Sequence, residues 1–358
     1  MVKLIWDNKK DITDNLEEKK RFFQDRFTEF ENISNSKKEW KNLLFWGENL
    51  DVIYYLLDKF EKKINLIYID PPFFSGVNYD IEVEENGNMY ESIAYNDHWE
   101  KDLDSYMQMI YERVSLFKRL MADSGLLFIH LDWHANHYIK LILDEIFGEN
   151  RFVNDIIWYY YNKYSAGKKN LPRAHDNILV YSKSNNYNFN NIRIPRDKPR
   201  KQLKREMVNG ILKNVKDANG HVVYRIVNDK KLDDVWRIPC LQPASKEWTG
   251  FPTQKHHELI KRIIQIGSNE GDLIADFFCG SGTTLVMADK LKRKWIGCDI
   301  SKFAIYLTRR RLVSYRNSLK AKNKYRFPIV MLTELNETCK NIINSGFFDK
   351  EITIKRKK

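Results

Sequence analysis

The chain reads as an α/β protein built on a doubly wound parallel sheet, and three observations predict this. Short, almost wholly apolar runs, above all 64–69 and 125–131, have the length and composition of strands covered on both faces. These runs alternate with stretches of helical periodicity, as at 103–121 and 135–147. A third strand pattern ends in an acid, Asp276, and passes through glycines into a helix pattern. Sheets of this class use such a turn to hold nucleotide-like ligands.

The elements follow in order. Residues 11–40 are expected to form a charged helix, with Leu16, Phe22, Phe23, Phe27 and Phe30 at mixed three- and four-residue spacing. A short strand at 43–46 ends in Gly47-Glu48-Asn49, and 51–59 reads as a helix carrying Val52, Tyr55, Leu56 and Leu57. The strand 64–69 leads into a loop, 74–97, rich in glycine, asparagine and acids. Helix 103–121, strand 125–131 and helix 135–147 come next, and Gly148 stops the last of them. Residues 152–161 and 177–181 read as strands. From 185 to 247 the character changes: Asn, Lys and Arg dominate, and Pro195, Pro199, Gly210 and Gly220 break the pattern. Order returns with helix 257–266, ended by Gly267-Ser268. Strand 273–275, the glycine turn, helix 284–291, strand 295–298 and helix 304–314 complete the alternation. The expected organisation is an N-terminal helical extension (1–40), one half of the main domain (41–184), an inserted region (185–247), the other half (248–315) and a C-terminal extension (316–358).

With 358 residues, 43% hydrophobic and 30% charged, the chain can bury a full core and is not of disordered composition. No apolar run reaches the roughly 18 residues that span a bilayer. Residues 1–7 lack the apolar core of an export signal, so a cytoplasmic protein is expected. Cys240, Cys279, Cys298 and Cys339 show no CxxC spacing, which argues against structural zinc. The net charge of +12 suggests a polyanionic partner, although a Lys- and Asn-rich composition alone also makes a chain basic. Its distribution says more. Arg193, Arg196, Lys198, Arg200, Lys201, Lys204 and Arg205 stand against a single acid, Asp197, and are candidate phosphate contacts rather than a merely solvated face.

Two motifs carry chemistry. Asp276-Phe277-Phe278-Cys279-Gly280-Ser281-Gly282-Thr283-Thr284 is a strand-to-helix turn in which glycine lets a ligand approach the backbone. Asp299 ends the next strand, one strand–helix–strand step later, where a carboxylate can accept from two ribose hydroxyls. The third glycine of a dinucleotide fingerprint is missing, and a sulfonium amino acid needs no phosphate site. Far upstream, Asp70-Pro71-Pro72-Phe73 directly follows an apolar strand, a rarer pattern than a simple Asp-Pro turn.

With the Asp-Pro-Pro-Phe motif before the glycine motif, the chain resembles the β-group (permuted) S-adenosylmethionine-dependent amino-methyltransferases of DNA. The resemblance runs from residue 43 to about 315. Phe251-Pro252-Thr253-Gln254-Lys255 and Asn269-Glu270-Gly271-Asp272 extend it; His256-His257 departs from it, since Pro-Glu is usual there. It implies a seven-stranded methyltransferase sheet, circularly permuted, with 185–247 as an inserted target-recognition region. It also implies S-adenosylmethionine as cofactor, held by Asp276, Phe278, Gly280, Ser281, Gly282, Thr283 and Asp299, with Thr253 and Lys255 over its methionine end and Glu48 towards its adenine.

Asp70, Pro71, Pro72 and Phe73 are then the catalytic residues. The Asp70 carboxylate and Pro71 carbonyl would accept from the two N–H bonds of an exocyclic amine, and Phe73 would stack on the extruded base. Asp rather than Ser in the first position points to adenine N6. Cytosine N4, or a catalytically silent DNA-binding relative, is the alternative. The implied partners are double-stranded DNA, a cognate restriction endonuclease on a separate chain, and a second copy in a homodimer. Pro239-Cys240 follows the basic region and is not preceded by a buried strand of the kind that a cytosine-C5 nucleophile needs. His130, Asp132, His134 and His137 straddle a strand end and a helix start, which reads as architecture or a polar floor rather than a metal site.

Overall fold

The computed structural model describes residues 3–7, 9–10, 12, 15–32, 40–97, 102–163, 169–319, 328–334 and 336–356. In chain order these form α1 (Leu16–Gln24), β1 (Phe27–Asn32), β2 (Asn42–Trp46), α2 (Asn49–Phe60), β3 (Ile64–Ile69), β4 (Asn78–Glu85), β5 (Asn88–Asn96), α3 (Leu103–Leu120), β6 (Met121–Leu131), α4 (Asn136–Phe147), β7 (Phe152–Tyr159) and β8 (His175–Ser182). Next come β9 (Arg193–Leu203), β10 (Arg205–Val208), β11 (Ile211–Asn214), β12 (Tyr224–Lys231) and β13 (Val235–Arg237). The chain continues through α5 (His257–Gly267), β14 (Leu273–Asp276), α6 (Thr283–Lys290), β15 (Lys294–Asp299), α7 (Lys302–Asn317), β16 (Ile329–Glu334), α8 (Glu337–Asn344) and β17 (Ile352–Arg356).

The main sheet has the order β1-β16-β2-β15-β14-β3-β6-β8-β7-β13. Its middle, β2 to β6, is parallel, and β8 runs antiparallel to both β6 and β7. Leu66, Ile67, Ile69, Leu127, Phe128 and Ile129 are fully buried, as strands covered on both faces require. The seven strands from β2 to β7 are the doubly wound set expected from the sequence. β16 and β1 widen the sheet on one side and β13 on the other.

Four expectations are corrected. Among the described residues of 11–40 the helix is only Leu16–Gln24, and Phe27–Asn32 is a strand paired antiparallel with β16. Most of the aromatic stripe is used internally: Phe23 stacks on Tyr54 at 5.5 Å, Phe27 meets Phe45 at 5.4 Å, and Phe30 meets Phe348 at 5.3 Å, whereas Phe22 is exposed. The unpaired edge of β16 outweighs local helix periodicity here. Residues 33–39 lie outside the described residues. The segment 316–358 is no appendage, since β16 lies within the sheet and β17 pairs with β4. The loop 74–97 contains the hairpin β4–β5.

The fourth correction concerns the inserted region. The chain divides into two compact units, and the smaller is Asn190–Asp234, narrower than 185–247. Residues 235–247 belong to the larger unit: β13 pairs with β7, Trp158 Nε1 donates to Ile238 O at 2.8 Å, and Cys240 exchanges two hydrogen bonds with Asn162. The small unit consists of two antiparallel pairs, β9–β12 and β10–β11, with Met207, Ile211, Tyr224 and Ile226 exposed. It holds twelve Lys/Arg against six Asp/Glu, a net +6 that is half of the charge of the whole chain.

Candidate active site

β14 and β3 are parallel neighbours, in register at Ile274↔Leu66 and Ala275↔Ile67. Their carboxyl ends therefore emerge side by side, one carrying Asp276 and the other Asp70, at the place where ligands bind to such sheets. Both motifs line one cavity of about 340 Å³.

Asp70 is held from two sides. Lys255 Nζ, nearly buried, donates to Asp70 Oδ2 and to Thr253 O at 3.2 Å. Asp70 Oδ1 is shielded from water and accepts no hydrogen bond among the described residues. His130 Nδ1 lies 3.8 Å from it. The His130 ring is fully buried, with Tyr68 OH 3.1 Å from Nδ1 and Asp176 Oδ2 3.1 Å from Nε2. Burial works to raise the Asp176 carboxyl, but the hydrogen bond and charge of His130, with Lys255 and Tyr160, hold it below the usual carboxylate value. Phe73 packs 5.6 Å from the His130 ring and 5.4 Å from Lys255 Nζ, and Tyr106 OH donates to Pro72 O at 2.8 Å.

The glycine turn is stitched by carboxylates and braced from behind. Asp276 Oδ1 accepts from Phe278 N at 3.0 Å, and Asp299 accepts from Gly280 N and Ser301 N at 2.8 Å each. Burial pushes Asp276 up to about 7 and Asp299 up to about 6. Gly280 and Gly282 have φ of +51° and +76°, and a Cβ on Gly282 would stand 2.4 Å from Thr308 Oγ1. Thr308 itself donates to Gly280 O at 3.0 Å. Arg311, from α7, donates to Ser281 O at 2.6 Å and to Thr283 Oγ1 at 3.0 Å; burial lowers its guanidinium to about 10.

The Thr253–Lys255 segment is equally fixed. Thr253 has φ +57°, a rare conformation for a β-branched residue, and its hydroxyl meets Tyr95 OH at 3.2 Å. Gln254 bonds to Glu247 O at 2.6 Å and to Thr249 N at 2.9 Å. Glu48 caps α2 by accepting from Leu50 N at 3.4 Å and also pairs with Arg113, which reaches Asn49 Oδ1 at 2.6 Å.

Asp70, Pro71, Pro72, Phe73, Glu48, Thr253, Lys255, Asp276, Phe278, Gly280, Ser281, Thr283 and Asp299 all line the cavity. Gly282 does not; it is the hinge of the turn. The seven basic candidates lie in the small unit instead. Arg193 is engaged by Asp229 through two bonds of 2.7 and 2.9 Å, Arg196 donates to Asp229 O at 2.8 Å, and Arg205 donates to Asn214 at 3.1 Å. Lys198, Arg200, Lys201 and Lys204 are exposed. His130 and His134 turn to different partners, Asp176 and Asp132. Sequence reading missed Asp176, Tyr95, Arg113, Thr308 and Arg311 as parts of the site.

The DNA methylase model for N6 and N4 methyltransferases matches residues 64–310, well over half of the chain. The chain belongs to this family. It is 29% identical over 315 residues to the type II methyltransferase M.EcaI of Enterobacter cloacae, covering 74% of this chain and 67% of that one. It is 28% identical over 252 residues to the DNA adenine methyltransferase YhdJ of Escherichia coli, covering 70% and 76%. Among solved structures, the PvuII DNA methyltransferase (cytosine-N4-specific) superposes with a TM-score of 0.50 at 15% identity, over 87% of this chain and 94% of that one. That likeness shows the shared fold. The methyl donor of this DNA methylase is S-adenosylmethionine. The cavity suits it: the volume lies in the range of about 300–1,000 Å³ typical of small-molecule sites, and carboxylates and aromatic rings flank a backbone turn that lines it at Gly280.

Proposed function

We propose that the protein methylates the N6 amine of an adenine extruded from duplex DNA, at a specific site. The observation that carries this reading is Asp70, which lines the same cavity as Phe73 and the glycine turn and whose Oδ1 is a buried acceptor with no donor among the described residues. The lone pair of an adenine amine is delocalised into the ring. An acceptor on one N–H bond, with the Pro71 carbonyl on the other, directs the nitrogen and restores its nucleophilicity. Bound S-adenosylmethionine supplies an electrophilic methyl on a sulfonium. Lys255 occupies Oδ2, so a single carboxylate oxygen would remain to accept from the amine. Asp276, Asp299 and Glu48 would take the donors of the cofactor, with Phe278 and Thr283 beside it. The order of the two motifs supports the permuted β-group.

Asp70, where cytosine-N4 enzymes of the group usually carry Ser, favours adenine, as does the similarity to YhdJ, a DNA adenine methyltransferase. The same reading includes the small basic unit as target-recognition region, a separate endonuclease of matching specificity, and a cytoplasmic location. No described helix is long and apolar enough to cross a membrane. The homodimer expected from the aromatic stripe loses its main support, because Phe23, Phe27 and Phe30 pack internally. Incubation with mixed DNA and labelled cofactor, followed by nucleoside mass spectrometry, tests the product. N6-methyladenine is expected, and a signal only in N4- or C5-methylcytosine overturns the reading.

A further inference from the structure

The sheet edge that carries Asp70 also carries two arginine–aromatic stacks. β6, the neighbour of β3, runs out into Trp133, which is 46% exposed, and the Arg173 guanidinium lies 3.7 Å from the centroid of its ring. Further along, β7 runs out towards Tyr161, and Arg237, at the end of β13, lies 4.4 Å from that ring. β6, β7 and β13 end on the same side as β3, and β8, running the other way, begins there just after Arg173. Two acids of this rim have histidine partners, Asp132 with His134 at 2.6 Å and Asp176 with His130 at 3.1 Å.

A guanidinium held over a ring by cation–π attraction can still offer N–H donors to phosphate oxygens. Holding the side chain before binding removes part of the ordering cost of contact. We propose that Arg173 and Arg237, preset by Trp133 and Tyr161, grip the phosphate backbone on one side of the target adenine, independently of the small basic unit. The proposal rests on DNA being the substrate and adds a contact surface to that reading. From β3 to β13 there are four strand steps, an edge of roughly 19 Å at about 4.8 Å each, which corresponds to about six base pairs of rise.

Anisotropy of a labelled duplex of mixed sequence, titrated with the full-length protein over a range of salt, tests this. Two phosphate contacts contribute about 1.8 to the slope of log affinity against log salt, so Arg173→Gln/Arg237→Gln should flatten the slope by that amount and weaken binding roughly sixty-fold at 0.1 M salt. Lysine at both positions should restore the slope, and Trp133→Leu should weaken binding with the slope kept. Because Arg237 is exposed, Arg237→Glu alone gives a second variant that cannot fail through the core, and it should weaken binding more than Arg237→Gln. Retained stabilisation by S-adenosylmethionine reports an intact fold. Wild-type slope and affinity in the glutamine pair, or in Arg237→Glu, overturn the proposal. Product identity reports the adenine reading and the salt slope reports this one, so either fails without the other.

Discussion

At the scale of the residue, Asp70 does two jobs that single substitutions separate. Removing its carboxylate leaves Lys255 buried without a counter-charge, at a cost of about 3–5 kcal/mol of stability. Asp70→Asn removes the charge as well but keeps an acceptor for Lys255 Nζ, so it disturbs the pair less than Asp70→Ala does. The one carbonyl of the amide goes to Lys255, and its NH2 is then turned towards the substrate amine, donor against donor. Single-turnover methylation should fall roughly a hundred- to a thousand-fold, while cofactor affinity, measured by calorimetry, stays within a few-fold. Asp276 and Asp299 set a pH dependence. Burial raises both carboxyls, to about 7 and about 6, so between roughly pH 4 and pH 7 the folded protein binds more protons than the unfolded chain. The stability of the ligand-free protein should fall as pH rises through this window. A cofactor with cationic groups and ribose donors favours the ionised carboxylates, so its affinity should rise over the same interval. Thermal shifts at pH 5.5 and pH 8, with and without S-adenosylmethionine, measure both signs.

At the scale of the element, the glycine turn and its brace form one unit. Gly282→Ala places a methyl against Thr308 at a φ that suits glycine, so the start of α6 must shift. A loss of about 1–3 kcal/mol in urea unfolding and a weaker cofactor complex are expected. This scale also divides what the sequence made legible from what it did not. Asp70 to Phe73 and Asp276 to Asp299 could be read because adjacent residues carry the chemistry and a strand–helix step fixes their spacing. The Lys255–Asp70 pair joins residues 185 positions apart, and the reach of Arg311 to the turn depends on how α7 packs. Neither leaves a local pattern. The aromatics of β1 suit both the helix and the strand period, and its pairing with the edge of β16 decides for the strand. The strands of the small unit were hidden by Pro195 and Pro199, which a two-stranded ribbon tolerates because each strand is an edge.

At the scale of the whole molecule, charge is concentrated: half of the net +12 lies on the 45 residues of the small unit. The register of β9 against β12 shifts between Arg200 and Pro195, in the middle of the cluster, so strand alternation does not carry through the seven cations. Replacing Lys201, Lys204 and Arg205 together by Ala should weaken binding to all sequences, and should flatten the salt slope by at most about 2.7 if every one meets a phosphate. Cofactor affinity should be unchanged. An unaltered slope would mark these three as a solvated face.

The Lys255–Asp70 pair has a kinetic consequence. The acid comes from the first half of the chain and its cation from the second, and they meet only when β3 and β14 lie side by side. Each half can form helices early, since those contacts are local, whereas joining the halves requires closure of a long loop. During refolding from urea, far-ultraviolet ellipticity should therefore recover ahead of methylation. Regained activity is then a clock for the closing of the sheet's centre, and a folding intermediate with both halves formed but unjoined would leave DNA unmodified.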